Sequence, residues 1–449
     1  MGNRVKGKSR RARAIALGIA LLLTVTFPLS LFPFSPVTLA TLHDSAAVST
    51  ATREGRLAVF DDAWSRINER YYDRTFHGLD WEAERTAFRT LAAEANSSDE
   101  LYAVLRRMIA PLDDPHTRVF APEEEFDWWR PRFVSIGVSI AEVEGLPTVV
   151  QVERGSAPQR AGVRSGDVIE TVNGQAAMSL LNERLANSAT HPSASARFRT
   201  FAKLLDGPPE SAVEVSWKGR DGKLKSARFD RHWQQRELSV RIRREHGEYA
   251  VIEIDAFTKP IAADFARALQ EKLRSARGIV IDLRGNGGGD AEAMTDIAST
   301  FLGPGLSLGQ FTDREGASLT ITTHARSLST PDLIAQTKLP LVVLTSERTS
   351  SASEIFVEAL RIARRATIIG TQTCGCVLAV RTRHVLPDGG LLDVSELDYE
   401  TALGSRLEGH GLTPDETVVN ARGDLYSGRD RAMESAIKQL ASLGSPAHH

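Results

Sequence analysis

One stretch in the C-terminal third of the chain constrains its fold most. An apolar run at residues 339–344 is followed by a turn of small hydroxyl residues at 349–353 and then by an amphipathic segment from residue 356. This order is typical of a strand that passes through a tight turn into a helix. The turn places serine hydroxyls at a helix N-terminus, where free backbone N–H groups favour negative charge. Taken alone, the serines are most simply explained as helix caps.

The same alternation of strand and helix extends from about residue 236 to the C-terminus. Strands are predicted at residues 249–254 and 278–284, with a helix at 262–273 between them. This pattern predicts an α/β domain with a layered sheet. The second strand leads into a loop with four glycines in five residues, at 285–289. Because no Lys-Ser or Lys-Thr follows, a phosphate-binding P-loop is excluded. A loop whose N–H groups hold an oxyanion fits better.

Two different patterns precede this region. From residue 57 to about 109, apolar residues recur at helical spacing, which predicts a small helical domain that ends in a polar turn containing His116. From residue 133 to about 231, short alternating strands are separated by turns, with an insertion of uncertain structure at about 176–210. The pair Trp128-Trp129 between them is predicted to pack at the junction of the two domains.

The N-terminus is typical of an export signal. The first 13 residues carry six basic side chains and no acidic one, and residues 14–40 carry no charge. Three prolines in the second half of that run, and the small residues before position 41, favour cleavage. The uncharged run is also long enough to span a bilayer, so a membrane anchor is the alternative.

Charge and cysteine content narrow the range of partners and cofactors that this chain could use. The 449 residues carry a net charge of -2, and no basic face indicates nucleic acid as a partner. The two cysteines, Cys374 and Cys376, are too close together to staple the fold, and no His or Cys cluster completes a zinc site. We therefore expect neither a metal nor an organic cofactor.

Residues 155–174 resemble a PDZ domain of the bacterial, circularly permuted kind. The resemblance is carried by GSAPQRAGV at residues 155–163 and by GDVIETVNG at residues 166–174. It implies that a peptide C-terminus is added as a strand beside a loop whose N–H groups take the carboxylate. Ile136, Gly137 and Val138 would form that loop.

Together with the helical segment and the PDZ-like stretch, DLRGNGGG at 282–289 and TSSASEI at 349–355 resemble peptidase family S41, the C-terminal processing and tricorn-like proteases. The resemblance covers about residues 57–425. Together with the leader predicted above at 1–40, it implies a multidomain α/β protein: a helical N-terminal domain at 41–132, a PDZ β-domain at 133–232 and a crotonase-like (ClpP/crotonase) α/β catalytic core at 233–449. It also implies that Ser351 is the nucleophile and that the N–H groups of Gly288 and Ala352 stabilise the oxyanion.

The sequence departs from the processing proteases at their lysine base, because Cys376 occupies the lysine-equivalent position. A thiol is a poor substitute for a neutral amine, so the Ser–Lys pair is absent. The tricorn-like branch instead uses a histidine from before the PDZ domain and a late glutamate, which His116 and Glu408 match. Ser351, His116 and Glu408 then form the predicted triad. Where that branch has a serine just before the histidine, this chain has Pro115.

The favoured prediction is an exported serine endopeptidase, periplasmic or extracellular, with anchoring to the inner membrane as the alternative. Its partners would be protein or peptide substrates, recognised by their C-terminal tails. Alternatives stay open for the base, since Cys376, His384 or His410 could take the place of His116. A rival from another class is a catalytically inactive, protease-like protein that only binds peptides.

Overall fold

The computed structural model of this chain describes residues 48–124, 130–188, 194–272, 275–325 and 338–444. The predicted leader and the pair Trp128-Trp129 lie outside these ranges. Across the described residues, no helix has both the length and the apolar character needed to cross a membrane.

Helices and strands alternate in blocks along these ranges. The helices are α1 (Arg53–Arg70), α2 (Trp81–Glu94), α3 (Ser98–Ile109), α4 (Ala157–Arg160), α5 (Ala177–Ser188), α6 (Ala194–Ala202), α7 (Lys259–Lys272), α8 (Ala291–Phe301), α9 (Ala352–Ile362), α10 (Arg422–Ser427) and α11 (Arg431–Gly444). The strands are β1 (Arg118–Phe120), β2 (Arg132–Ser135), β3 (Val138–Val143), β4 (Leu146–Val152), β5 (Val168–Val172), β6 (Gln175–Ala176), β7 (Ala212–Lys218), β8 (Leu224–Asp230), β9 (His232–Gln235), β10 (Val240–Glu245), β11 (Tyr249–Ile254), β12 (Gly278–Asp282), β13 (Ser307–Asp313), β14 (Ser318–Thr322), β15 (Leu341–Thr345), β16 (Thr367–Gly370), β17 (Ala379–Val385), β18 (Leu391–Glu400) and β19 (Glu416–Thr417).

A six-stranded sheet organises the C-terminal half. Its order is β10-β11-β12-β15-β16-β19, and all neighbours are parallel except β10 and β11. Successive side chains of a strand point to opposite faces. Ile252 of β11 therefore packs with Phe265 and Phe356 from the helices α7 and α9, whereas Val251 packs with Leu440 of α11. With both faces covered, the inner strands β12 and β15 are buried throughout and almost entirely apolar, and the predicted α/β fold is confirmed.

A second sheet joins the N-terminal helices to the C-terminal half. Its order is β1-β18-β13-β14, and β17 also pairs with β18. In β1, Arg118 pairs with Asp393 of β18. The buried side chains of α1 to α3 share one core with Leu386 and Leu392. The turn that contains His116 is therefore fixed against strands that come much later in the chain.

A third sheet contains residues 138–230 in the order β3-β4-β5-β7-β8, which leaves β3 at an edge. The segment predicted as an insertion contains two helices, α5 and α6. The single strand predicted from residue 135 to 140 is divided instead, because Gly137 adopts a φ of +92° between β2 and β3. A side chain there would meet the Cβ of Ser156 at 2.7 Å, which favours glycine. β2 then pairs with β9 in a separate ribbon.

Candidate active site

Ser351 is the N-cap residue of α9, and it adopts a φ of +57°, a conformation that non-glycine residues rarely take. Among the described residues, its side chain makes no capping hydrogen bond to the helix. The helix end is served instead by Glu354, whose carboxylate accepts the Ser351 N–H at 3.1 Å. Because strained non-glycine residues cluster at functional sites, this geometry favours a chemical role for the serine over the simple cap.

Glu354 ties the serine turn to the loop that follows β16. Its side chain is fully buried, and its two oxygens also accept the Thr373 hydroxyl and the N–H groups of Gly375 and Cys376, at 2.5, 2.7 and 2.9 Å. Burial raises the pKa of Glu354, and these hydrogen bonds oppose that rise. The four donors show why a carboxyl group is tolerated here.

The glycine loop lies directly against Ser351. A Cβ added to Gly288, whose φ is +98°, would lie 2.7 Å from the Cβ of Ser351 and 3.1 Å from the nitrogen of Ala352. The loop is held by a hydrogen bond from the Ser350 N–H to the carbonyl of Asn286, at 3.2 Å. However, the N–H of Gly288 donates to Oδ1 of Asn286 at 2.8 Å. The predicted oxyanion donor is therefore engaged by a side chain in this structure.

Cys376 and Cys374 form a disulfide, which the sequence analysis missed because it treated both as thiols. The carbonyl of Cys376 accepts the Ser351 N–H at 2.9 Å, so the lysine-equivalent position does lie beside the serine. A disulfide sulfur carries no proton and is no base. This corrects the alternative in which Cys376 takes the place of His116 as the base. From α6, the hydroxyl of Ser195 lies 3.1 and 3.3 Å from the two sulfurs.

His116 lies in the turn just before β1, with 16% of its side chain exposed. Burial lowers its pKa, the charge of Asp114 opposes this effect, and Arg118 and Arg199 add to the lowering. Arg199 of α6 also forms an ion pair with Asp113 at 2.7 Å and lies 3.9 Å from the sulfur of Cys376. Over the described ranges, no hydrogen bond joins His116 to Ser351 directly.

Glu408 contacts the residues that directly follow the disulfide. Its carboxyl group accepts the N–H groups of Val377 and Leu378 at 2.6 and 3.1 Å. Burial raises the pKa of Glu408 to about 8; the two hydrogen bonds oppose the rise, and the charge of Asp114 adds to it. Ser351 and Glu408 therefore both bond to residues 376–378, and the His116 turn is connected to Cys376 through Arg199, which pairs with Asp113.

The other candidate bases are placed differently. His384 is buried, and its ring lies 3.1 Å from Glu396 and 3.4 Å from Arg66 of α1, in the core shared with the helices. His410 is exposed on the loop after Glu408. In the part of the chain that the structure describes, no three His, Cys, Asp or Glu side chains are grouped to hold a metal ion.

The predicted carboxylate-binding loop lies at the start of the edge strand β3. Ile136 is buried in the core of that sheet, and Val138 pairs with Val152 of β4. The N–H of Gly137 donates to the hydroxyl of Ser135 at 2.9 Å. In the described part of the chain β3 is an edge strand of its sheet, and an edge strand offers backbone groups of the kind that an added strand uses.

Two family models match this chain: peptidase family S41 over residues 248–418 and the tricorn protease C1 domain over residues 53–110. Carboxyl-terminal-processing peptidase 3 (chloroplastic) of Arabidopsis thaliana is 27% identical over 415 residues, which are 89% of this chain and 76% of that protein. The carboxyl-terminal-processing protease of Synechocystis sp. is 26% identical over 416 residues, 91% of each chain.

Solved structures show the same fold. The photosystem II D1 C-terminal processing protease has a TM-score of 0.53 at 24% identity and covers 87% of this chain and 98% of its own. Mature CPAF complexed with lactacystin has a TM-score of 0.68 at 13% identity, with 87% and 99% covered. The matches confirm the family resemblance seen in the sequence.

Proposed function

This chain is a serine peptidase of family S41, and we propose that it is an exported endopeptidase that cleaves protein substrates after recognising their C-terminal tails. The observation that carries the proposal is the conformation of Ser351. It combines a positive φ, a position at the N-terminus of a buried helix, and contact with a glycine loop. These features expose a hydroxyl beside backbone N–H groups, as acyl transfer requires.

In the proposed reaction, Ser351 Oγ attacks the carbonyl carbon of the scissile peptide bond while its proton passes to His116. The N–H of Ala352, which lies at the helix N-terminus, stabilises the oxyanion together with that of Gly288, once the latter leaves Asn286. The C–N bond then breaks and the proton moves from His116 to the leaving amine. Water hydrolyses the acyl-enzyme by the same route. Glu408 is the acidic member of the proposed site.

The lowered pKa of His116 supports its role as a base, since a larger fraction of the imidazole is neutral below pH 7. Its segment is connected to the disulfide loop through Arg199, which pairs with Asp113 and approaches the sulfur of Cys376. Because catalytic hydrogen bonds often tighten only when substrate binds, we propose that the gap between Ser351 and His116 closes in the substrate complex.

We propose the remaining architecture from the resemblance: a helical domain at 41–132, a PDZ domain at 133–232 and a crotonase-like core at 233–449. The free edge of β3, beside Ile136, Gly137 and Val138, supports the addition of a substrate tail as a strand. The basic and then apolar leader and the disulfide both favour an oxidising compartment outside the cytoplasm. Relatives named as chloroplastic or cyanobacterial processing proteases agree with export.

Labelling with a fluorophosphonate, located by peptide mass mapping, tests the nucleophile and the base. We expect labelling at Ser351 in the wild type and in Cys376→Ala, and none in Ser351→Ala or His116→Ala. If the folded wild type stays unlabelled while a known serine peptidase reacts, the chain is better described as a peptide-binding protein without activity.

Tail recognition is tested separately with matched peptides that end in a free carboxylate or in an amide. We expect faster cleavage of the free-carboxylate peptide, and we expect Gly137→Ala to abolish the difference. Equal cleavage of both peptides by the wild type would contradict tail recognition without touching the proposed nucleophile.

A further inference from the structure

Asp114 is a buried carboxylate in the His116 turn that neither the family resemblance nor the predicted triad uses. Only 2% of its side chain is exposed. Its Oδ2 accepts the N–H and the hydroxyl of Thr117 at 3.2 and 2.6 Å, and its Oδ1 accepts the backbone N–H of His116 at 2.8 Å. The carboxylate is therefore fixed in place by three donors, one on His116 and two on Thr117.

The imidazole of His116 has a buried nitrogen that faces this carboxylate. Its Nδ1 is shielded from solvent and has no hydrogen-bond partner within the described ranges. Oδ1 of Asp114 lies 3.8 Å from that nitrogen. A buried polar nitrogen without a partner costs free energy, so a small rotation of the ring towards Asp114 is favoured. That rotation would fix which ring nitrogen carries the proton and leave Nε2 free to face the serine.

Glu408 is less suited to the same task. Its Oε2 already accepts two backbone N–H groups of the disulfide loop. With a pKa raised to about 8, Glu408 is mostly protonated at neutral pH and carries no charge with which to stabilise an imidazolium. The charge of Asp114 is among the causes of that raised pKa, as it is for the phenol of Tyr71.

We propose that Asp114 is the positioning residue for His116: it accepts the Nδ1–H and balances the charge that His116 gains when it takes the proton of Ser351. This inference rests on the proposed function, because it assigns a partner to the proposed base. In this step the proton of Ser351 passes to His116 and not to Asp114. Glu408 then serves as a neutral group that holds residues 377 and 378 beside the serine.

The charges around His116 give the proposal a signature in pH dependence. The groups that act on its ring are Asp114 of its own turn, Arg118 of β1, Asp393 of β18 and Arg199 of α6. The two acids raise the pKa of His116, and the two arginines lower it. Removal of the Asp114 charge therefore lowers this pKa further, and the acidic limb of kcat/KM moves to lower pH. A merely structural defect would not move the limb in that direction.

The test compares Asp114→Asn with Glu408→Gln, each of which keeps an oxygen acceptor and removes only the ability to ionise. For cleavage of one peptide at pH 6.5, we expect kcat to fall about 100- to 10,000-fold in Asp114→Asn, with KM little changed. In Glu408→Gln, which also alters a residue of the proposed site, we expect a smaller loss than in Asp114→Asn, because an acid whose neutral form is favoured has been replaced by a neutral amide. Near-ultraviolet circular dichroism checks that both variants are folded.

The opposite ranking, in which Glu408→Gln is inactive and Asp114→Asn is active, overturns the inference in favour of Glu408. A low kcat in Asp114→Asn without the shift of the acidic limb also overturns it. His116→Ala separates this inference from the proposed function. If that variant remains active, both fail, whereas an inactive His116→Ala beside an active Asp114→Asn leaves the proposed base intact and rejects only Asp114.

Discussion

Gly288 has two reasons to be glycine, a positive φ and direct contact with Ser351. We predict that Gly288→Ala lowers the rate of fluorophosphonate labelling at Ser351 by about 100-fold or more, because the added methyl group displaces the serine from the oxyanion donors. The strained backbone adds about 1–3 kcal/mol of destabilisation, measurable by urea unfolding.

The matched control for this glycine is Gly404→Ala. Gly404 also has a positive φ, of +76°, but nothing lies near the position of an added Cβ. It therefore reports the backbone strain alone. If Gly404→Ala reduced labelling as much as Gly288→Ala, the effect would be one of stability and not of contact with Ser351.

Glu408 also makes the stability of the protein depend on pH. Its pKa rises from 4.5 to about 8 on folding, so its neutral form is the one that the folded state favours. This contribution to stability is complete below the unfolded value and is lost as the pH rises towards 8. We predict that the wild type loses at least about 1.4 kcal/mol relative to Glu408→Gln between pH 5 and pH 9, equivalent to one pKa unit. Denaturant unfolding of both proteins at each pH measures the difference, and parallel curves would contradict it.

At the scale of elements, the helix α6 connects the edge of one sheet with the proposed site. Arg197 forms an ion pair with Glu142 of β3, while Arg199 pairs with Asp113 and approaches the disulfide. The positive charge of Arg199 lowers the pKa of His116. We predict that Arg199→Ala raises that pKa and moves the acidic limb of kcat/KM to higher pH, by up to about one unit. Arg197→Ala, on the same helix, should leave the limb in place.

The sequence predicted elements well where one local pattern decided them. Residues 249–254 form β11 as expected, because a strand buried on both faces is an unbroken apolar run. The predicted strand at 135–140 was wrong, since the change of direction at Gly137 depends on Ser156, a contact that no local pattern reports. The helix predicted at residues 262–273 begins three residues earlier, at Lys259.

The features of the candidate site likewise divide into those that a local motif predicts and those that depend on contacts between distant segments. The serine turn, the glycine loop and Cys376 could be found from the sequence because each lies in a short motif. The disulfide, the four-donor environment of Glu354 and the engagement of Gly288 by Asn286 could not, since all three arise when separate loops meet. Asp114 could not be predicted from the sequence for a similar reason, because its proposed role depends on its distance from one ring nitrogen of His116.

At the scale of the whole molecule, the N-terminal helices and the late strands form a single core. Leu392 of β18 is fully buried in the core of α1 to α3 and lies opposite Val119 of β1. We predict that Leu392→Ala costs about 2–5 kcal/mol and lowers labelling at Ser351 together with the helical signal in thermal unfolding. Leu224→Ala, which truncates a largely exposed leucine on β8, is the control. Loss of the helices at a temperature where labelling persists would show two independent units.

The pairing of β1 with β18 also sets the time at which the proposed activity can appear. His116 leaves the ribosome early, but the strand that fixes its turn is made only after the nucleophile and the disulfide loop. Until β18 is folded, the base has no defined position, whatever else has formed. A newly made chain is therefore expected to lack the proposed hydrolytic activity until residues 391–400 have left the ribosome and paired with β1.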